Sequence, residues 1–97
     1  MAVIEVMSFR LATGVEDSEF LDADQRAQTE FFYSQPGLVR RTTAHNVDGE
    51  WLVVTVWDSP DHADVWVATS GDDPAFIRWA ALLEHTSTVT RRYETID

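Results

Sequence analysis

The alternation of hydrophobic and polar residues predicts four β-strands separated by turn-forming residues. These strands cover residues 2–11, 38–46, 50–58 and 86–95. The third strand, EWLVVTVWD, is apolar or amphipathic on both sides, with Leu52, Val54 and Val56 in one row and Trp51, Val53, Thr55 and Trp57 in the other. A strand of this composition is typical of a sheet that is covered on both faces.

Between the strands, apolar residues recur at helical spacing. The first helix is predicted over residues 18–34, with Asp17 or Ser18 as its cap and Pro36 beyond its end. Ser59-Pro60 is a helix-start signal for a second helix over residues 60–69. The segment SGDDP then interrupts the pattern, and a further helical piece follows over residues 74–84.

The resulting order, β-α-β-β-α-β, indicates an α+β fold: a ferredoxin-like sandwich with a four-stranded antiparallel sheet and the helices on one face. We expect residues 1–97 to form a single domain of this kind. In such a domain, no helix covers the second face of the sheet. Because an apolar face of this size is seldom left exposed, the sequence predicts a homodimer in which two sheets face each other.

The hairpin between the second and third strands decides which residues share a face. Asp48-Gly49 is a two-residue turn signal, and it predicts a register in which His45 lies opposite Leu52 and Arg41 lies opposite Val56. In that register, Arg40 and Thr42 share a face with the tryptophan row, and because three consecutive aliphatic residues make the better helix-facing row, we expect the aliphatic row to lie under the helices. The tryptophan row then faces the partner sheet, and the residues expected to line a ligand site are Arg40, Thr42, Trp57, Trp66 and Tyr93.

Charge and cysteine content exclude several functions. The 97 residues include seven arginines, no lysine and 17 acidic residues, for a net charge of −10. So acidic a protein repels nucleic acids and anionic membranes, and neither is an expected partner. The absence of cysteine excludes disulfides, thiol nucleophiles and Cys-ligated metals. With no signal peptide or membrane span recognisable, the expected location is the cytoplasm.

The candidate polar groups each have an ordinary structural interpretation beside a functional one. Of the histidines, His62 lies among three aspartates and is either a catalytic base or a surface residue of a first helical turn. No histidine lies in metal-ligand spacing. The pairs Arg40-Arg41 and Arg91-Arg92 each place one arginine on each face of the sheet, so one of each is expected to be buried against a carboxylate such as Glu5.

Two short motifs and a tryptophan give the chain a resemblance to a known group of proteins. The motifs are Gln35-Pro36-Gly37-Leu38, before the second strand, and Val56-Trp57-Asp58-Ser59, after the third, and Trp66 follows on the next helix. With the element order, they resemble the dimeric α/β-barrel superfamily, in particular the antibiotic-biosynthesis-monooxygenase-like proteins. These features specify the fold well and the activity poorly, because the same frame hosts unrelated functions.

One branch of that superfamily degrades haem, and it resembles this chain in the interval from Trp57 to Trp66. The resemblance implies a histidine ligand further along the helix and an asparagine on the first strand. Here Ala80 falls at the ligand position, and Ser8 and Phe9 lie where the asparagine is expected. We therefore expect no haem complex and, more generally, no cofactor.

Three function classes remain open from the sequence. By analogy with the family, the protein is a cofactor-independent monooxygenase or isomerase acting on an aromatic or polyketide-like molecule, with His45 or Arg41 stabilising a substrate anion. Alternatively, it is a dimer that binds a small aromatic ligand without catalysis. The third class is a structural or stress-related dimer whose barrel is filled by side chains. An open pocket with convergent polar groups would favour the first two classes.

Overall fold

The computed structural model of the protein describes all 97 residues and contains one four-stranded antiparallel sheet covered by helices on one face. The strands are β1 (Val3–Phe9), β2 (Leu38–His45), β3 (Trp51–Trp57) and β4 (Val89–Glu94), in the spatial order β2-β3-β1-β4. The helices are α1 (Asp17–Glu30), α2 (Pro60–Ser70) and α3 (Pro74–Ala81). This confirms the predicted ferredoxin-like arrangement, with its second helix divided in two. None of the helices has the length and apolarity needed to cross a bilayer.

Local side-chain bonds explain where α2 and α3 begin. The Ser59 hydroxyl accepts a hydrogen bond from the His62 backbone N–H, and Asp73 accepts from the N–H groups of Ala75 and Phe76. Each cap is followed by a proline, whose missing N–H is not needed in the first turn. The expected cap of α1 is wrong, because Asp17 is already helical and the preceding Glu16 makes no side-chain cap bond.

The β2–β3 hairpin differs from its predicted register by one residue. His45 pairs with Trp51 and Arg41 pairs with Thr55, not with Leu52 and Val56. The loop contains three residues rather than two: the Asn46 N–H donates to the Glu50 carbonyl, and Gly49, at a φ of 82°, closes the turn in the left-handed region. This is the three-residue hairpin, which adds one residue to the expected connection.

That extra residue changes which residues of β2 and β3 share a face: Arg41 now lies beside Thr55, in the row of the tryptophans. The choice of the helix-covered face is a second difference, because the tryptophan row, and not the aliphatic row, packs under the helices. Trp51, Val53, Thr55 and Trp57 are buried under the helices, whereas Leu52, Val54 and Val56 lie half-buried on the other face. The prediction that the tryptophan row faces a partner sheet is therefore wrong. Arg40, Thr42 and Tyr93, which were expected on the same side as Trp57, lie on the opposite side from it.

Aromatic rings fill most of the space between the sheet and the helices. Phe9 and Phe20 pack edge to face at 5.6 Å, and the ring of Phe20 contacts both Trp51 and Trp79. Aromatic pairs of this kind add to the stabilisation that comes from burying their area. The core of the domain therefore lies entirely on the helix side of the sheet.

The opposite face, which we call the open face, has an apolar centre and no covering element. Its centre consists of half-buried residues of the two inner strands: Ile4, Val6, Leu52, Val54 and Val56. Polar residues of the edge strands lie beside them, including Arg40, Thr42, Arg91 and Tyr93. The open face is the surface that a partner sheet would cover.

Candidate functional site

A row of polar side chains crosses the sheet beneath the helices, one from each strand. Arg41 on β2 pairs with Thr55 on β3, Thr55 pairs with Glu5 on β1, and Glu5 pairs with Arg92 on β4. The first three are buried, whereas Arg92 lies at the edge of the helix layer. Buried polar groups are retained only where they find hydrogen-bond partners, so the partners of this row define the site.

Glu5 holds two tryptophans and one arginine. Its Oε1 atom accepts hydrogen bonds from the indole N–H of Trp57 at 2.9 Å and of Trp66 at 2.7 Å. The two rings lie parallel, with centroids 6.1 Å apart. Its Oε2 atom receives the Arg92 Nε at 3.2 Å and Nη2 at 3.1 Å. Glu5 thereby connects β1 to β3, β4 and α2.

Arg92 links this network to the surface. Its Nη1 donates to Oδ1 of Asp64 on α2 at 2.7 Å. The hydrogen bond that Arg92 donates to Asp64, together with the one that it donates to Glu5, raises the pKa of Arg92, so the guanidinium stays charged. An arginine has five N–H donors; here Nε and Nη1 each donate one hydrogen bond and Nη2 makes an ion-pair contact, so at least two N–H groups remain for a ligand.

A second buried carboxylate, Asp24, lies on α1 and forms its own network, separate from that of Glu5. Asp24 of α1 accepts, on Oδ1, from the Arg41 Nη2 at 2.7 Å and from the Trp79 indole N–H at 2.9 Å. The Arg41 guanidinium lies 4.5 Å from the centroid of the Phe32 ring, and its Nε has no hydrogen-bond partner. Arg41 is therefore buried as expected, but its carboxylate is Asp24 rather than Glu5.

Between the two carboxylate networks lies a small cavity that is walled mainly by aromatic rings. About 20 Å³ of it can be occupied by the centre of a water-sized sphere, which is more than the roughly 10–15 Å³ that one water requires and far less than an organic substrate requires. Residues from β1, β3 and β4, the turn after α1, and both α2 and α3 form its lining: Glu5, Met7, Phe32, Val53, Thr55, Trp66, Phe76, Trp79 and Thr90.

The cavity extends to β4, whose Thr90 belongs to its lining. Every residue of β4 is exposed, including Thr90 and Arg92 on the helix side of the sheet. Met7 and Phe76, which line the cavity, are only half-buried. The exposed helix side of β4 beside the cavity, which we call the cleft, therefore includes Thr90 of the lining and Arg92, two residues further along the strand.

The structure separates the five predicted ligand-site residues. Trp66 lines the cavity, and Trp57 lies fully buried beside it without reaching the lining. Arg40 donates to Thr42 on the open face, where Tyr93 also lies. These five residues cannot line one site within a single chain, and a ligand role for the three on the open face stays a prediction.

The histidines named from the sequence lie outside the cavity. His45 stacks on Trp51 with centroids 4.6 Å apart at the hairpin end of the sheet. His62 contacts Asp58 through Nδ1 at 2.6 Å, and this hydrogen bond lowers the pKa of the exposed Asp58 carboxyl. The same pair packs against Gly37, where a Cβ would overlap His62. The contact therefore joins the Gly37 turn to the start of α2.

Comparison with known structures gives matches over nearly the whole chain. SnoaB, a cofactor-independent oxygenase from Streptomyces nogalater, superposes with a TM-score of 0.80 at 23% identity, covering 99% of this chain and 94% of SnoaB. A protein from Caulobacter crescentus, provisionally described as an antibiotic biosynthesis monooxygenase, gives a TM-score of 0.77 at 12% identity, covering 99% and 91%. Rv0793 from Mycobacterium tuberculosis superposes with a TM-score of 0.72 at 14% identity, and the match covers 100% of this chain and 97% of Rv0793.

Comparison by sequence alone gives no match, either to a protein-family model or to a curated protein. The structural matches confirm that the chain has the fold of the antibiotic-biosynthesis-monooxygenase-like proteins. Because this fold hosts many chemistries, a function must be argued from the cleft and its residues.

Proposed function

We propose that the protein binds a small aromatic or polyketide-like molecule in the cleft along β4 and oxidises it as a cofactor-independent monooxygenase. The observation that carries this proposal is a cavity with four aromatic rings in its walls and a charged arginine, Arg92, bound to the lining residue Glu5. Sites for flat organic ligands are mostly apolar, with a few well-placed polar groups. The fold shared with SnoaB, a cofactor-independent oxygenase, supports the same reaction class.

The reaction class is the conversion of an activated methylene to a carbonyl by dioxygen. A methylene between two aryl rings that are also joined by a ketone, as in anthrone, loses a proton to solvent, and the negative charge moves through the rings to the ketone oxygen to give an enolate. The enolate carbon forms a bond to one oxygen atom of O2, the resulting peroxide takes up a proton, and its O–O bond breaks as the second hydrogen leaves. The methylene becomes a carbonyl, and the other oxygen atom leaves as water, so that carbon is oxidised and dioxygen reduced.

In this chain, Arg92 stabilises the enolate, in place of the His45 or Arg41 expected from the sequence. His45 is stacked on Trp51 away from the cavity, and Arg41 is engaged with Asp24 behind the aromatic walls. Arg92 retains at least two N–H groups without a contact and lies two residues along β4 from Thr90, which lines the cavity. A fixed cation beside a developing oxyanion stabilises it most where aromatic walls exclude water.

Binding of a complete ring requires the cleft to widen, because the cavity as it stands holds only a very small molecule. Phe76 and Met7 are the half-buried side chains on its lining. Their displacement towards solvent enlarges the cavity while the tryptophans stay fixed by Glu5 and Asp24. The proposed ligand therefore lies over β4, with its edge inserted between these two side chains.

Oxygen consumption with anthrone as substrate tests the proposal. We expect protein-dependent uptake of one O2 per anthrone converted to anthraquinone. Substituting Arg92→Gln should lower kcat/KM by about 100-fold, as removal of one oxyanion-stabilising donor typically does. The matched control is Arg91→Gln, one residue away on the opposite face, which should leave the rate unchanged. Anthrone loss at the uncatalysed rate would contradict the proposal, provided that the protein is folded.

The alternative function is that of a non-catalytic structural dimer. The observation that favours it is the nearly complete filling of the space between sheet and helices, which leaves about 20 Å³ for the centre of a small molecule. In that case, anthrone neither binds nor is consumed. Titration of the intrinsic tryptophan fluorescence with anthraquinone separates a binding protein without activity from one that binds nothing.

We also propose that the open face pairs with the same face of a second copy. Its apolar centre is formed by side chains that a lone sheet leaves partly in water, such as Val6, Val54 and Val56. A two-fold axis through the centre of the face would place these residues against their own copies and cover both surfaces at once. Arg40, Thr42 and Tyr93 would then lie at the rim of the interface.

Sedimentation equilibrium at micromolar concentration is expected to give twice the 11.0 kDa mass of the chain. A Val54→Asp substitution puts a carboxylate from each copy into the apolar centre. At about 2 kcal/mol or more per buried polar group, the dissociation constant should rise by roughly 1,000-fold. The control is Val67→Asp on the exposed side of α2, which should leave the mass unchanged. A wild-type mass near that of one chain would overturn the dimer.

A further inference from the structure

We propose that the cavity between the sheet and the helices is a binding site for molecular oxygen. Its role as the source of O2 for the reaction rests on the proposed function, whereas the binding site itself does not. The inference rests on the size of the cavity, on the chemistry of its walls and on the hydrogen-bond state of its polar groups.

The size and walls of the cavity match a very small apolar molecule. The available space exceeds that of one water and excludes any ring. Its walls are mostly carbon and sulfur atoms from side chains such as Met7, Val53, Trp66 and Phe76. An apolar cavity of this kind favours an apolar gas, as dry cavities in other proteins do.

The polar groups of the cavity offer little to a resident water. A carboxylate has about four acceptor positions. Glu5 accepts three hydrogen bonds, two from indoles and one from the Arg92 Nε, and the Arg92 Nη2 lies 3.1 Å from the same Oε2 atom in an ion pair. Only the hydroxyls of Thr55 and Thr90 remain. A buried water typically makes about three hydrogen bonds, so this site would leave it undersatisfied. Dioxygen loses no hydrogen bond on entering.

The position of the cavity suits delivery of O2 to a ligand in the cleft. The cavity lies on the inner side of Met7 and Phe76, and Thr90 belongs both to its lining and to the exposed helix side of β4. A ligand ring inserted between Met7 and Phe76 would contact an O2 molecule held in the cavity. The tryptophan walls are fixed by Glu5 and Asp24, so the gas site remains formed before the larger ligand binds.

Paramagnetic relaxation by dissolved O2 tests this inference without any turnover. In protein carrying 13C-labelled methionine and valine methyl groups, O2 replaces N2 and the relaxation of each methyl is compared. We expect a larger enhancement at Met7 and Val53 than at Val47, which is fully exposed and reports bulk O2. Smaller enhancements at Met7 and Val53 than at Val47 would overturn the site.

Two variants distinguish an oxygen site from a water site. Val53→Ile adds one methylene to the cavity wall and should abolish the excess enhancement at Met7, whereas Val67→Ile on the surface of α2 should retain it. Thr55→Val removes a hydroxyl without changing the shape and should leave the enhancement intact. If the enhancement appeared only in Thr55→Val, water would be the resident molecule and the proposal would be wrong. Should Val53→Ile fail to fold, the wild-type and Thr55→Val measurements still decide.

The kinetic consequence separates this inference from the proposed function. If anthrone is oxidised, Val53→Ile should raise the KM for O2 while the KM for anthrone stays the same. Oxidation with an unchanged KM for O2 would refute the oxygen site and leave the function standing. Strong O2 relaxation at Met7 without oxidation would leave the site standing and refute the function.

Discussion

Replacing Glu5 by alanine is expected to destabilise the protein by about 4 kcal/mol or more, because it strands several buried donors at once. The two indole N–H groups of Trp57 and Trp66 would lose their common acceptor, and Arg92 would lose one of its two carboxylates. Each unsatisfied buried group costs about 1–3 kcal/mol. Against a typical domain stability of 5–15 kcal/mol, the variant would be close to unfolding.

Urea denaturation followed by tryptophan fluorescence measures this loss, because two of the four tryptophans report on Glu5 directly. The matched control is Glu94→Ala on exposed β4, for which we expect a change within about 0.5 kcal/mol. Glu5→Gln keeps an acceptor oxygen for the indoles and loses the ion pair. Its loss of unfolding free energy should therefore be smaller than that of Glu5→Ala and larger than that of Glu94→Ala. A Glu5→Ala variant within about 1 kcal/mol of the wild type would show that the indoles find other acceptors.

The fold was predictable because local signals and global pattern agree. The helix-start signals Ser59-Pro60 and Asp73-Pro74 lie where α2 and α3 begin, and the four apolar segments became the four strands. The hairpin register was not predictable from Asp48-Gly49 alone, since the same dipeptide suits a two-residue and a three-residue loop. What decides between them is the Asn46 side chain, which accepts from the N–H groups of Asp48 and Glu50.

The site residues were only partly predictable, because they depend both on that register and on which row of β3 packs under the helices. Trp66 was named from its place after the third strand, and it does line the cavity. Glu5 was recognised only as a candidate partner for an arginine. A single carboxylate that binds tryptophans from β3 and α2 requires the three-dimensional juxtaposition of residues 52 and 61 positions apart. No local pattern carries that information.

The same limit applies to Asp24, which belongs to a helix whose exposed surface is strongly acidic. Its neighbour Asp22 lies in solvent and contacts Arg26 and Arg78 at 3.6 Å. Asp24 instead points inward to Arg41 and Trp79. In sequence, the two aspartates look alike, and only the packing of α1 against β2 and α3 distinguishes the buried one.

The two aspartates therefore give a matched pair for the second large effect. Asp24→Ala should cost about 3–5 kcal/mol, because it leaves the guanidinium of Arg41 buried without a counter-charge. Asp22→Ala, which removes exposed ion pairs from the same helix, should cost at most about 1 kcal/mol. Replacing both buried partners, as Asp24→Leu with Arg41→Met, removes the stranded charge and should recover most of the loss, which thermal and urea unfolding would measure. A double variant no more stable than Asp24→Ala would mean that the Trp79 hydrogen bond, rather than the charge of Arg41, is what Asp24 supplies.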